Sequence, residues 1–335
     1  EMKALVYMGA GTLDYREVED PRPAAGESLL QVEACCICGS DMHAFHGKDA
    51  RRQPPLILGH EAVGTVIEGA AAGRRVVINP LVPCGTCAYC REGRENLCPS
   101  RQMMSMNRPG SFAELVTAPD GNMLEVPEGL SAEHAALTEP AATAWHGVVT
   151  AARALNRPLA EARAVVIGGG AIGLLCALTL RAFGCADLRV AETNALRRET
   201  VAAEGFEVFD PQTEDPGDNR AELVMDAVGY AATRAAASRW IAPGGVILHI
   251  GLGDGEGGLD VRKATLQEVT FIGTYTYTMT DFRNALSALA GGRLGALGWL
   301  ERRPLSAGLE AFQALDRGEV AAAKIALLPE SSPGQ

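Results

Sequence analysis

The segment Ala162–Gly184, ARAVVIGGGAIGLLCALTLRAFG, decides how the chain is to be read. It opens with a short apolar run of strand character, AVVI. Gly168, Gly170 and Gly173 follow at GxGxxG spacing, and then an apolar stretch of helical length. Strand, glycine turn and helix in that order make a dinucleotide-binding unit. The glycines let the backbone approach a pyrophosphate, which sits against the positive helix N-terminus. Ala171 and Ile172 lie inside the same turn and belong to the candidate contact surface. The stretch LRVAE then ends on Glu192, 24 residues after Gly168, where a carboxylate can bind both ribose hydroxyls. The same carboxylate repels a 2′-phosphate, so NAD is expected over NADP. Arg197 and Arg198 pull the other way, but they fall a turn into the next helix, where solvated charges are ordinary. Arg197 is kept as a candidate cofactor contact.

Downstream, FEVFD, ELVMDAVG, GVILHIG and EVTFIG recur as short strands separated by Ala-rich helical segments. With the first two strands they predict a doubly wound sheet of six strands. The uncharged run Ala164–Leu180 is short for a membrane span, contains three consecutive glycines and is flanked by Arg163 and Arg181. No membrane span is expected.

At 335 residues the chain exceeds what one core usually holds, so two domains are expected. A formal net charge of -11 and a pI near 5.1 work against binding nucleic acid or an acidic membrane surface. The opening run KALVYM reads as a strand and not as an export signal, which points to a cytoplasmic protein.

In a reducing compartment, clustered cysteines are metal ligands or redox groups before they are disulfides. PCGTCAYCREGRENLC, Pro83–Cys98, holds four of the nine cysteines, Cys84, Cys87, Cys90 and Cys98. Two bridges among them would need very tight loops, whereas four thiolates can surround a tetrahedral zinc. Such a site is coordinatively closed, so it organises a loop and offers no place for substrate. The lobe also lacks the dense Lys/Arg face of a nucleic-acid module. Chemistry is therefore expected upstream, where CICGSDMHAFHG and LGHEAVG hold Cys38, Ser40, Asp41, His43, His60 and Glu61. Cys38, His60 and a carboxylate would give zinc three protein ligands and leave one position open, the arrangement of a catalytic site. Cys35 and Cys36 read as a buried strand end.

Taken together and in order, CGSDMH, GHEAVG, the four-Cys lobe, EPAATAWHG, GGGAIG and AAKIALLP resemble the zinc-containing medium-chain dehydrogenase/reductase family, the alcohol dehydrogenase superfamily. The resemblance covers nearly the whole chain. It is strongest toward the polyol and sugar dehydrogenases, such as those acting on sorbitol, threonine and galactitol phosphate. It implies an α/β protein in which a GroES-like β-barrel catalytic domain is interrupted by a Rossmann doubly wound parallel sheet. Residues 1–142 would form the first part, including the zinc lobe at 84–98, residues 143–273 the NAD-binding domain, and residues 274–335 the return segment. Cys38 and His60 would bind the catalytic zinc, with Glu61 and Glu139 competing for the remaining place. Asp41 would orient His60, while Ser40 and His43 would relay the proton of the alcohol to the surface. Thr143, Leu252 and Lys324 would contact the cofactor.

The implied cofactors are two zinc ions per chain and NAD, in a homodimer or homotetramer. The implied activity is oxidation of a secondary alcohol on a polyol, sugar or sugar-acid derivative. An NADPH-dependent aldehyde or ketone reductase is the alternative within enzymes. A non-catalytic nucleotide- or metabolite-binding protein is the alternative outside them, and an intact relay of Ser40 and His43 argues against it. Arg74 stands where the family carries Asp, a change confined to a turn. Ala44 and Thr276 stand where sorbitol dehydrogenases carry tyrosine and arginine, which disfavours sorbitol itself. TYTYT, Thr274–Thr278, still offers hydroxyls to a polar substrate.

Overall fold

Six short strands pair in parallel in the order Glu207–Phe209, Asp187–Ala191, Arg163–Ile167, Ala221–Asp226, Ile241–His249, Thr270–Gly273. Numbered along the chain this is 3-2-1-4-5-6, the order of a dinucleotide-binding sheet. The central strands are apolar on both faces because helices cover both. Val165, Ile167, Val224 and Ile247 form one cluster with Trp240 of the helix Ala231–Trp240. The structure, a computed structural model, describes residues 1–330.

The chain divides into two compact units. One comprises Pro140–Tyr277 with Arg293–Gly295, and the other Glu1–Glu139, Thr278–Gly292 and Ala296–Gln335. These limits differ by three and four residues from the expected 142 and 273. No loop marks the first junction, because the helix Thr138–Ala154 runs through it. At the second, Thr274–Tyr277 stay with the parallel sheet.

The other unit is mainly antiparallel β-structure. Its largest sheet runs Met123–Glu125, Arg75–Ile78, Glu61–Glu68, Glu27–Cys36, Lys324–Leu328, Leu300–Pro304, with Leu115–Pro119 also paired to Glu27–Cys36. Alternating residues of these strands, such as Leu30 and Val32, meet Phe45, Phe112 and Phe312 in one core. Register sets where the strand ends lie. Cys36 pairs with Glu61 and with Ala326, so the end of one strand and the beginnings of two others meet at one place. Among the described residues no helix is long and apolar enough to cross a membrane.

Candidate active site

Convergence of those three strand ends assembles the upstream constellation. Cys38 stands one residue past the strand Glu27–Cys36 and caps the short helix Gly39–Phe45. Asp41, in the first turn of that helix, accepts the Cys38 backbone N–H at 2.9 Å and thereby fixes the loop. His60 and Glu61 stand at the start of the neighbouring strand. The ligand atoms of Cys38, His60 and Glu61 lie within 4.8 Å of one another. Glu139, in the first turn of Thr138–Ala154, is outside this group but close enough to act on the charges of both His60 and Glu61.

The donor set fits a cation. Burial opposes a proton on the His60 imidazole, but Asp41, Cys38 and Glu139 outweigh it and push the ring up to about 10. Burial also pushes the Glu61 carboxyl up, against the pull of Lys324. Three buried polar atoms, Asp41 Oδ1, His60 Nδ1 and Glu61 Oε2, have no hydrogen-bond partner. Buried polar atoms are normally satisfied, so this local concentration of orphans marks a place built for another group. Asp41 Oδ1 stands 3.7 Å from His60 Nδ1, an ion-pair contact longer than a hydrogen bond. Ser40 and His43 sit three residues apart on the helix Gly39–Phe45, hence on one face. Burial first, then the charges of His46 and Lys48, lowers the affinity of His43 for a proton.

Lys324 is placed with these residues. Its ammonium is buried and donates to Glu61 Oε1 at 2.8 Å and to the Ile37 carbonyl at 2.9 Å. Its expected contact with the cofactor rests on its place in the AAKIALLP motif alone.

The four-Cys lobe also fits zinc. Its ligand atoms lie within 4.8 Å of one another, with sulfur separations of 3.9 Å for Cys84 to Cys90 and 3.5 Å for Cys87 to Cys90. A tetrahedron with Zn–S bonds near 2.3 Å needs edges of about 3.8 Å. Backbone N–H groups of Thr86, Cys87, Cys90 and Cys84 point at the sulfurs of Cys84, Cys84, Cys87 and Cys98. Those donors stabilise thiolates.

In the parallel-sheet unit, the turn after Arg163–Ile167 is closely packed backbone. Gly168 adopts φ +104, and a Cβ on Gly173 would lie 1.7 Å from the Gly168 carbonyl oxygen, so only glycine fits there. Gly170, Ala171 and Ile172 open the helix Ala171–Ala182. Glu192, buried at the end of its strand, accepts Gly169 N–H and Asn194 N–H, each at 2.7 Å. A carboxylate offers about four lone-pair sites, so it retains capacity for ribose hydroxyls. Arg198 is engaged by the Glu192 and Thr193 carbonyls and by Asp210. Arg197 differs: its buried Nε has no hydrogen-bond partner, and its guanidinium faces Gly170. Thr143 is half-buried on the helix Thr138–Ala154, and Leu252 is 72% exposed on the loop after Ile241–His249.

Two features are not legible in the sequence. Thr276, a β-branched residue, takes φ +48 with its buried hydroxyl unpartnered, a strained conformation that no local motif announces. Arg52 is buried with its guanidinium on Ser40 Oγ, although its neighbours Arg51 and Gln53 are exposed.

Comparison with known proteins agrees with this geometry. The profile of the alcohol dehydrogenase GroES-like domain matches residues 24–128, and that of the zinc-binding dehydrogenases matches residues 171–291. L-galactonate-5-dehydrogenase of Escherichia coli K12 is 31% identical over 310 residues, covering 88% of this chain and 89% of that protein. The 2-dehydro-3-deoxy-L-galactonate 5-dehydrogenase of Pseudoalteromonas atlantica is 30% identical over 308 residues, with the same coverage, 88% and 89%. A crystal structure from Sinorhizobium meliloti 1021 bound to NADP superposes with a TM-score of 0.85 at 29% identity, covering 98% of this chain and 99% of that one.

Proposed function

Because the chain belongs to the zinc-binding dehydrogenases of alcohol dehydrogenase type, we propose that it oxidises a secondary alcohol of a polyol, sugar or sugar-acid derivative and passes the hydride to NAD. The observation that carries this reading is the convergence of Cys38, His60 and Glu61 around unpartnered buried atoms, in a chain that also carries the glycine turn. Cys38, His60 and Glu61 would hold the ion, and the chemistry zinc supplies there is a lowered hydroxyl pKa, as it brings bound water to about 7. Ser40 accepts the proton of the alcohol and His43 receives it in turn. Bound NAD would supply the hydride acceptor, so that the product of the alcohol would be a ketone. Glu192 would hold the ribose and the turn at Gly168–Gly173 the pyrophosphate.

The two sugar-acid relatives support an aldonate or a related polyhydroxy acid as the substrate class. Screening C4 to C6 polyols, aldonates and their phosphates for NAD reduction tests the proposal. Turnover of a secondary alcohol is expected, and NAD binding without turnover of any of them would defeat it.

One observation favours a second reading. The unpartnered Nε of Arg197 beside Gly170, together with the NADP-bound relative, suits a reductase using NADPH. Comparing kcat/KM for the two cofactors separates these readings. Glu192 should give NAD the higher value.

For assembly, the edge strand Thr270–Gly273 is exposed on its outer side, with Phe271, Val261 and Leu266 exposed around it. An unprotected apolar edge supports a homodimer formed there. Thiolate zinc sites support a cytoplasmic, reducing setting.

A further inference from the structure

Arg52 is 2% exposed, although Lys48, Arg51 and Gln53 around it are exposed. Each nitrogen of its guanidinium is engaged. Nε donates to the Ser105 carbonyl at 2.8 Å and stands 3.4 Å from Ser105 Oγ. Nη1 is 2.5 Å from Asp49 Oδ2, and Nη2 donates to Ser40 Oγ at 3.3 Å. The carboxylate of Asp49 is itself pinned by Arg51 at 2.9 and 3.0 Å. Ser105 is buried in the left-handed region at φ +67, uncommon for a residue with a side chain, and presents its carbonyl to the guanidinium. A buried cation is tolerated only when paired and hydrogen-bonded. Here the pairing leaves one contact to spare, and it goes to the serine of the relay.

We propose that Arg52 is a positioning residue for proton transfer: it fixes the Ser40 hydroxyl so that its oxygen accepts and its hydrogen points onward. This rests on the dehydrogenase reading. A guanidinium has no lone pair, so Ser40 Oγ can only accept from it. One lone pair of Oγ then remains for the alcohol, and the single hydroxyl hydrogen must be donated elsewhere. That polarity is the one oxidation requires. The substrate O–H bond breaks as a new O–H bond forms at Ser40; the former Ser40 proton leaves and ends on the His43 imidazole, so serine is unchanged. Lysine would not replace this arrangement, because a point charge lacks the planar fork that reaches Ser105, Asp49 and Ser40 together.

The test uses the zinc-loaded full chain with Arg52→Gln, Arg52→Lys, Ser40→Ala and the combinations of Arg52→Gln with Ser40→Ala and with Asp49→Asn. Arg52→Gln is expected to lower kcat for alcohol oxidation roughly ten-fold while the KM values for alcohol and NAD stay within about two-fold. The solvent deuterium isotope effect on kcat should rise, and Arg52→Lys should restore less than half of the loss. On the Ser40→Ala background Arg52→Gln should cost nothing more. Asp49→Asn with Arg52→Gln removes both buried charges together and should show the same kcat loss with the melting temperature of the unmodified chain. A kcat for Arg52→Gln within about two-fold of the parent, or an equal loss on the Ser40→Ala background, overturns the proposal. If the parent chain oxidises no alcohol, the dehydrogenase reading fails by itself, and melting temperatures then decide the contact. Shifts for Arg52→Gln and Ser40→Ala that do not add support it, and additive shifts overturn it.

Discussion

Lys324 holds Glu61 by one oxygen only: its ammonium lies 2.8 Å from Oε1, while Oε2, equally buried, has no partner. The two side chains are 3% and 0% exposed. The contact exists because the strands Glu61–Glu68 and Lys324–Leu328 both flank Glu27–Cys36 in the register that pairs Cys36 with Glu61 and Ala326. One carboxylate is thereby given two different oxygens, one paired with lysine and one without a hydrogen-bond partner.

Removing one member of a buried ion pair leaves an uncompensated charge. Lys324→Met is expected to cost about 3–5 kcal/mol of stability. Adding Glu61→Gln removes the lone charge and should recover more than half of that. Chemical denaturation of the parent, the single variant and the double variant checks it. If the double variant is no more stable than Lys324→Met alone, the pair does not hold this corner of the sheet.

The glycine turn gives a contrast between two neighbouring positions. A Cβ at Gly173 would meet the Gly168 carbonyl oxygen at 1.7 Å, whereas at Gly170 the nearest neighbour is a flexible arginine terminus at 3.8 Å. Gly173→Ala should therefore lower the melting temperature and abolish NADH binding. Gly170→Ala should fold normally and bind NADH more weakly, because the methyl stands where the pyrophosphate approaches. Melting curves and NADH fluorescence titration read the two effects, and a Gly173→Ala protein as stable as the parent would contradict the packing.

Zinc removal should expose unequal thiols. Backbone N–H of Thr86, the Thr86 hydroxyl and backbone N–H of Cys87 lower the Cys84 thiol to about 6, while lost solvation and the hydrogen bond to Cys87 push Cys90 up to about 12. Above pH 6 Cys84 is thiolate and reactive, and below it the proton returns and the reaction slows. Iodoacetamide with peptide mapping after chelation should thus modify Cys84 well before Cys90 at pH 7. Equal rates at the two cysteines would contradict the assigned environments.

Much of the fold is legible in the sequence because it rests on local rules. The strand, glycine turn and helix at Arg163–Ala182 follow from spacing and apolar runs, and the grouping of both sets of candidate ligands from their spacing. What the sequence hides depends on long-range register. Which residues stand beside Cys38 and His60 depends on which strand ends meet, and the three whose ligand atoms group are Cys38, His60 and Glu61. Lys324 and Arg52 illustrate the same point from the side of charge. Neither partner can be read from the sequence: each acquires it, Glu61 or Ser40, from a segment that only the folded chain brings near.

Metal content of the Cys38→Ser protein tests the central claim most directly. Purified without chelators, the parent should carry two zinc ions per chain, one for each cluster. Cys38→Ser should keep the ion of the cysteine lobe, lose the other, fold as before and turn over no alcohol. Undiminished turnover by Cys38→Ser, or an active parent holding a single zinc bound by Cys84, Cys87, Cys90 and Cys98, would contradict it.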